Sequence, residues 1–396
     1  MVEQNRRMRA PPLDVIAFGA TSFVGQILCR YLLEEFGTHR ELRWAAAGRS
    51  QGKLEELRAS LGPEAATLPL VVADAADDAA LRKLCASTRV MVSTVGPYAL
   101  HGEPLVRACA ESGTDYCDLT GEVQWIRRMV ERYEAAVRKS GARIVHCCGF
   151  DFLPSDLGVH FLQSHAMSQF AAPWARVKMR VKVMRGGFSG GTVASLMNVV
   201  KEAAADPALR KELADPYSLC PAATAPTVRQ PEVRGVEFDS DFGAWIAPFV
   251  MSAINTRIVH RTNALSERAY GADFRYDEAM LMGRGLKGQL AGAATTAGLA
   301  GFMLAGAVAP LRGVSSVSCF RNPAKARAPR SSATVASTCA LSARRVTAAR
   351  SAPRSPAIAI RATGPPARCS ARRPRASHST SREARRRAAS GPPPRY

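Results

Sequence analysis

The sequence predicts an α/β protein: a doubly wound parallel sheet, then a second, α+β domain, an apolar helix and a disordered C-terminal tail. Three observations support this fold class. Strand-like and helix-like segments alternate over the first 160 residues, which favours a parallel sheet. A glycine-containing turn follows the first apolar run. Beyond residue 312 the composition changes to Arg, Ala, Pro and Ser without periodicity, which does not support a hydrophobic core.

Residues 13–37 predict a strand, a tight turn and a helix. The turn has the pattern Gly19-x-x-Ser22-x-x-Gly25. Gly19 allows a positive φ, and Gly25 lets helix and strand approach closely, so main-chain amides would face a pyrophosphate at the helix start. Ser22 stands where a glycine is usual, but it is small and its hydroxyl can donate to a phosphate. The pattern predicts a Rossmann-like dinucleotide site, and a βα turn without a ligand is the alternative.

The end of the second predicted strand indicates which dinucleotide binds. Arg49 and Ser50 follow Gly48, at the position where such folds contact the adenosine ribose. An acidic residue there would bind the 2′-hydroxyl of NAD, whereas an arginine accommodates the 2′-phosphate of NADP. We therefore predict NADP as the cofactor, with a solvated loop arginine as the alternative interpretation.

Later strand ends complete the predicted cleft, because ligands bind beyond the carboxyl ends of parallel strands. The third strand ends at Asp74, on the adenine side, and the fourth leads into 95–98, near the nicotinamide. The predicted cofactor-binding residues are Gly19, Ala20, Thr21, Ser22, Phe23, Gly25, Arg49, Ser50, Asp74, Val95, Gly96, Pro97 and Tyr98. Tyr98 is a candidate proton donor, but packing is the favoured interpretation, and no catalytic residue is assigned.

Several longer motifs resemble a known family. "GATSFVG", "AGRS", "TVGPYALHGEPLVRACAESGTDYCDLTGE" and "CGFDFLPSDLG" are similar to motifs of the saccharopine-dehydrogenase-like oxidoreductases, especially the group with the trans-acting enoyl reductases of bacterial complex-lipid synthesis. The resemblance spans roughly residues 13–312 and implies an NADPH-dependent oxidoreductase acting on a lipid or polyketide-derived substrate. A non-enzymatic nucleotide-binding scaffold or sensor at a membrane or lipid surface is the alternative.

Residues 13–160 are thus predicted to form the NADP-binding domain, and residues 161–285 an α+β domain for substrate binding or dimerisation. In the second domain, strand-like stretches at 175–184 and 256–265 flank a predicted helix at 192–205. The "GGFSGG" loop at 186–191 would close on a substrate or form a simple hairpin. A homodimer is a further expectation.

Residues 286–312 predict an apolar helix. Residues 288–311 carry no charge, and this length suits a bilayer span, although Ala and Gly contribute little hydrophobicity. A membrane span, a helix buried in protein and a helix at a membrane surface are the three interpretations. Each points toward apolar partners.

Cysteine usage and the N-terminus predict a cytoplasmic protein, with the inner face of the cell membrane as a site of association. The ten cysteines form no Cys-x-x-Cys pair, so neither a disulfide framework nor a metal site is expected. Residues 1–12 predict a flexible N-terminus, and no secretory signal is expected because residues 1–14 lack an apolar stretch.

Residues 313–396 predict a disordered basic tail. Residues 318–396 hold 18 Lys and Arg and one acidic residue, whereas the preceding residues hold 36 basic and 32 acidic ones. The net charge of +21 therefore belongs mainly to this tail. A basic nucleic-acid arm is one interpretation, but no nucleic acid is expected as a partner because we favour a shifted reading frame.

The shifted frame can be tested with the genetic code. The third base of each codon, read with the first two bases of the next, permits Lys-Pro-Gly-Glu-Gly-Pro-Ser-Pro over residues 321–330. The same reading permits Gly-Asp-Arg-Asp-Pro-Gly-Tyr-Gly-Ala-Thr-Ser over residues 356–367. Both strings resemble C-terminal motifs of the same family, in the same order. A frameshift between about codons 311 and 320 explains them, and a nucleotide sequence that excludes both strings would contradict it.

Overall fold

The computed structural model describes residues 11–38, 41–184 and 190–307, together with the backbone of 336–344, 358–363 and 370–371. These residues form two sheets, one for each predicted domain. The predicted flexible segment at residues 1–12 lies outside the described residues except for its last two positions.

The first sheet is built from alternating strands and helices. Its elements are β1 (Leu13–Phe18), α1 (Phe23–Phe36), β2 (Trp44–Gly48), α2 (Gln51–Ser60), β3 (Leu70–Val72), α3 (Asp78–Ser87), β4 (Thr88–Ser93), α4 (Tyr98–His101), α5 (Glu103–Ser112), β5 (Asp115–Asp118), α6 (Val123–Ser140) and β6 (Ile144–Val145). The six strands are all parallel, in the order β3-β2-β1-β4-β5-β6. This order confirms the predicted Rossmann-like sheet.

Helices cover both faces of this sheet, so its central strands are apolar on both sides. Ile16 and Phe18 of β1 belong to the core cluster on one face. Ala17 and Trp44 belong to the cluster on the other face. Because side chains alternate along a strand, one short apolar run supplies both cores.

The second domain follows a long connecting helix. Its elements are α7 (Leu153–Phe170), β7 (Arg176–Met184), α8 (Gly190–Ala205), α9 (Pro207–Ala214), β8 (Glu237–Asp239), β9 (Ala244–Pro248), α10 (Ser252–Leu265), β10 (Arg275–Gly283) and α11 (Gly285–Ala307). Four strands lie in the order β7-β10-β9-β8; β7 and β10 are parallel, and the other two pairs are antiparallel. The predicted α+β character is confirmed. The predicted boundary at residue 160 falls inside α7.

One predicted strand of this domain is wrong. The stretch 256–265 lies in helix α10. Its β-branched residues favoured a strand, but the buried residues Ile254, Arg257, His260 and Ala264 recur every three or four positions, as on one helix face. The predicted strand at 175–184 and helix at 192–205 are confirmed as β7 and α8. Residues 186–189 of the glycine-rich loop lie outside the described residues.

The apolar segment forms helix α11. No helix in the described part of the chain combines the length and hydropathy needed to cross a membrane, so the membrane-span interpretation is wrong for these residues. Gly292 faces the second domain, where an added Cβ would stand 2.5 Å from Val236 Cγ2. Leu286, Leu290 and Leu304 are exposed, so the helix is not buried in protein either. Association with a membrane surface stays a prediction.

Three segments of the predicted tail are strands in the structure. They are β11 (Ala336–Arg344), β12 (Ile358–Thr363) and β13 (Ser370–Ala371). β11 pairs antiparallel with β7, and β12 and β13 extend the sheet beyond it. An edge strand such as β7 offers unpaired N–H and C=O groups to an extended segment, whatever its side chains. The other residues of 313–396 lie outside the described residues, and their predicted disorder stays a prediction.

Candidate functional site

The turn between β1 and α1 has no room for side chains at its two glycines. Gly19 has a φ of 81°, and an added Cβ would stand 2.7 Å from Val95 Cγ2. A Cβ on Gly25 would stand 2.8 Å from the backbone of Ala20. The first glycine is therefore required by its backbone conformation and the second by the close approach of α1 to the turn.

Ser22 caps helix α1. Its Oγ accepts a hydrogen bond from the Gly25 amide at 2.9 Å and lies 3.0 Å from Thr94 Oγ1. Thr94 Oγ1 in turn donates to the Gly19 carbonyl at 2.9 Å. Serine at this position thus stabilises the turn and the helix start, and a hydrogen bond from its hydroxyl to a phosphate stays a prediction.

The same turn leaves main-chain amides for a ligand. The amides of Gly19 and Ala20 both donate to the Ala47 carbonyl, at 2.9 and 3.0 Å. Those of Phe23 and Val24, in the first turn of α1, have no partner among the residues that the structure describes. Such amides at a helix N-terminus bind anions, which fits the predicted pyrophosphate position.

The neighbouring strand ends lie beside this turn. Arg49 directly follows β2 and is exposed, while Ser50 caps α2 by accepting from the Lys53 amide. Asp74, also exposed, follows β3 and accepts from the Ala76 amide within its own turn. The strand order therefore places Arg49 and Asp74 on one side of the glycine turn and residues 95–98 on the other. The structure thus brings all the predicted cofactor residues to one edge of the sheet.

The turn after β4 contains a cis peptide bond between Gly96 and Pro97. Gly96 is exposed, whereas the Tyr98 ring is buried and packs against Trp125, with ring centroids 5.5 Å apart. The Tyr98 hydroxyl donates to the Ser93 carbonyl at 3.0 Å, and burial raises its pKa well above the ordinary value. This hydroxyl is held by the core, which supports the packing interpretation of Tyr98.

Sequence reasoning missed a buried carboxylate behind this turn. Glu122 lies between β5 and α6 and is 1% exposed. Its oxygens accept from the amides of Tyr98 and Ala99 and from the hydroxyl of Ser195 on α8. The motif Thr120-Gly121-Glu122 signals a turn at a strand end, but nothing in it signals a partner 73 residues away.

A second missed carboxylate orders the ends of β5 and β6. Asp118 is buried and accepts from His146 Nδ1 at 2.7 Å and from the Tyr116 hydroxyl at 3.0 Å. It also accepts from the amides of Thr120 and Cys147. These four contacts connect neighbouring strand ends, so the role of Asp118 in this structure is to shape the sheet edge.

A charged cavity of about 370 Å³ lies in the second domain, away from the glycine turn. Arg180 Nη2 lies 2.7 Å from Asp239 and 2.6 Å from Asp277, and Lys178 Nζ lies 2.8 Å from Asp241. Burial opposes ionisation of Asp239, but Arg180 and Lys178 outweigh it and lower its pKa below the ordinary value. These charges neutralise one another. The cavity is therefore lined by an internal ion network and is not a cofactor site.

Comparison with known proteins identifies the first sheet. The saccharopine dehydrogenase NADP-binding domain family matches residues 15–145, from β1 to the end of β6. This range contains the glycine turn, Arg49 and the turn at 95–98. The first domain is therefore an NADP-binding domain.

Relatives of known description match a longer part of the chain. The trans-acting enoyl reductase of Mycobacterium ulcerans is 39% identical over 295 residues, which are 73% of this chain and 70% of that protein. A Mycobacterium tuberculosis protein provisionally described as a trans-acting enoyl reductase is 43% identical over 284 residues, 70% of this chain and 67% of its own length.

Among solved structures, apo saccharopine dehydrogenase (L-Glu forming) from Saccharomyces cerevisiae is 10% identical, with a TM-score of 0.42, over 89% of this chain and 84% of that one. The identity to the mycobacterial relatives, over more than two thirds of their length, shows the family directly. The chain belongs to the saccharopine-dehydrogenase-like NADP-binding oxidoreductases, in the family that includes the trans-acting enoyl reductases.

Proposed function

We propose that this protein is an NADPH-dependent enoyl reductase that reduces a carbon–carbon double bond in a lipid or polyketide-derived chain. The observation that carries the proposal is the similarity to trans-acting enoyl reductases over 284 to 302 residues. This length is more than twice that of the cofactor domain match at 15–145, so the similarity includes residues beyond the cofactor domain.

The first domain supplies the groups that NADPH requires. The amides of Phe23 and Val24 would hold the pyrophosphate, and the exposed guanidinium of Arg49 would bind the 2′-phosphate. None of residues 49–53 carries a carboxylate that would bind the 2′-hydroxyl of NAD instead. A charge-assisted contact to a phosphate at this position favours NADPH over NADH.

In the proposed reaction, bound NADPH supplies a hydride to the enoyl group. The chain positions the nicotinamide against the turn at 95–98 and brings the substrate to it from the second domain. We assign no side chain as proton donor, since the hydroxyl of Tyr98 donates to the Ser93 carbonyl within the core.

The charges of the second domain fit an apolar substrate better than a saccharopine-like polycarboxylate. A polycarboxylate would require unpaired basic residues in an open cleft. Arg176, Lys178 and Arg180 line the cavity of the second domain, but each forms an ion pair with an aspartate. Their positive charge is already neutralised within the protein.

The test is consumption of NADPH in the presence of 2-enoyl thioesters of increasing chain length, with the product identified by mass. We expect a saturated thioester formed in equal amount to the NADPH oxidised, and slower turnover with NADH. Saccharopine with NADP⁺, followed by the formation of NADPH, is the control for saccharopine-type chemistry, and no turnover is expected there. NADPH binding without turnover of any enoyl thioester would contradict the proposal and favour the scaffold or sensor interpretation.

A further inference from the structure

We propose that Glu122 is a positioning residue that couples the nicotinamide turn at 96–99 to helix α8 of the second domain, so that one carboxylate sets the geometry between cofactor and substrate. The kinetic part of this inference rests on the proposed function. The structural part does not, because it concerns contacts between two domains of the chain.

The carboxylate of Glu122 is fully engaged. Oε1 accepts from the Tyr98 amide at 2.8 Å and from Ser195 Oγ at 2.7 Å, and Oε2 accepts from the Ala99 amide at 2.9 Å. The residue is 1% exposed, so water does not replace a lost partner. A buried carboxylate is costly unless it is hydrogen-bonded, and here three donors satisfy it.

These donors come from two domains. Tyr98 and Ala99 belong to the turn after β4, in the cofactor domain, whereas Ser195 belongs to α8. Ser195 Oγ also lies 3.8 Å from the point where a Cβ on Gly96 would stand. Any displacement of the carboxylate therefore changes the position of the turn and of α8 relative to each other. Errors of about 1 Å in such positioning can slow a reaction on the order of 100-fold.

A second contact of α8 with the first domain provides a matched control. Glu202 accepts from Gln124 Nε2 at 3.2 Å and lies 3.6 Å from Arg128 Nη2, both on α6. Its side chain is 28% exposed, and it lies about two helical turns beyond Ser195. This contact docks the same helix without touching the nicotinamide turn.

The experiment compares Glu122→Gln, Ser195→Ala, the double variant and Glu202→Gln. In single turnover with saturating NADPH, we expect hydride transfer to slow about 100-fold in Glu122→Gln and about 10-fold in Ser195→Ala. The double variant should be no slower than Glu122→Gln alone, because Ser195 acts on the turn only through the Glu122 carboxylate, which Glu122→Gln already disrupts. Glu202→Gln should stay within about twofold, and NADPH affinity should change less than about threefold in all four.

A second measurement does not depend on turnover. Amide hydrogen exchange in α8, without cofactor or substrate, should be faster in Glu122→Gln and in Ser195→Ala than in the unmodified protein. Ser195→Ala leaves the contacts of Glu122 with the Tyr98 and Ala99 amides in place. If Glu122→Gln does not fold, the exchange rate of α8 in Ser195→Ala alone tests the coupling. Unchanged exchange in α8, or equal slowing by Glu122→Gln and Glu202→Gln, would overturn the coupling. Absence of turnover with any enoyl thioester would instead contradict the proposed function, and the exchange result would still stand.

Discussion

The two sheets carry their polar groups in different ways. In the first, the polar groups nearest the predicted cofactor are main-chain amides in the turn from Gly19 to Gly25. In the second, buried side chains carry the charge, as in the network of Arg180 with Asp239 and Asp277. Backbone sites leave a local glycine pattern in the sequence, whereas a charge network joins residues from distant strands. The first domain therefore offers free amides to an anion, whereas the buried charges of the second domain pair with one another.

The largest effect is expected from a substitution that breaks the buried ion network of the second domain. Arg180→Met leaves the carboxylates of Asp239 and Asp277 buried beside an apolar side chain, so the free energy of unfolding should fall by about 3–5 kcal/mol. The control is Arg234→Met, which removes an exposed ion pair with Glu232 and should cost less than about 1 kcal/mol. Denaturant unfolding measures both. Equal losses in the two variants would show that the buried network contributes no more than a surface pair.

Acid should destabilise the second domain through a buried histidine. Burial lowers the pKa of His260 to about 4, and the nearby Arg257 adds to this effect. Between pH 6.5 and 4 the unfolded chain binds a proton that the folded protein excludes, so stability falls by about 3 kcal/mol as the pH falls. His260→Leu should remove this part of the pH dependence. Parallel curves of unfolding free energy against pH for the two proteins would contradict the prediction.

In the first domain, an added methyl group at the glycine turn should act on the cofactor. Gly25→Ala places a Cβ 2.8 Å from the Ala20 backbone and displaces α1 from the turn. NADPH affinity should fall on the order of 100-fold, which is about 2.7 kcal/mol. Gly52→Ala in α2 is the control, because its Cβ would meet no atom within 4 Å. A titration followed by NADPH fluorescence measures both, and equal affinities would argue against a cofactor at this turn.

The same contrast explains what could be predicted from sequence. The six parallel strands, the glycine turn and the residues at the strand ends follow from local patterns and the general geometry of parallel sheets. The position of Ser22 in the glycine turn follows from the sequence. Its contact with Thr94 does not, because Thr94 lies 72 residues away and leaves no local signal. The same holds for Glu122 and Ser195. Helix α10 was misassigned because its β-branched residues favour a strand, whereas its packing against α7 and β10 requires a helix.

The smallest expected effect is the most direct test of the central claim, that Arg49 selects NADPH. Calorimetric titration of the unmodified protein should show NADPH binding more tightly than NADH by about 1.5–3 kcal/mol, the contribution of a hydrogen bond to a charged group. Arg49→Ser should lower the affinity for NADPH to that for NADH and leave NADH binding unchanged. Equal affinity of the unmodified protein for both coenzymes, or an unchanged ratio in Arg49→Ser, would contradict the claim.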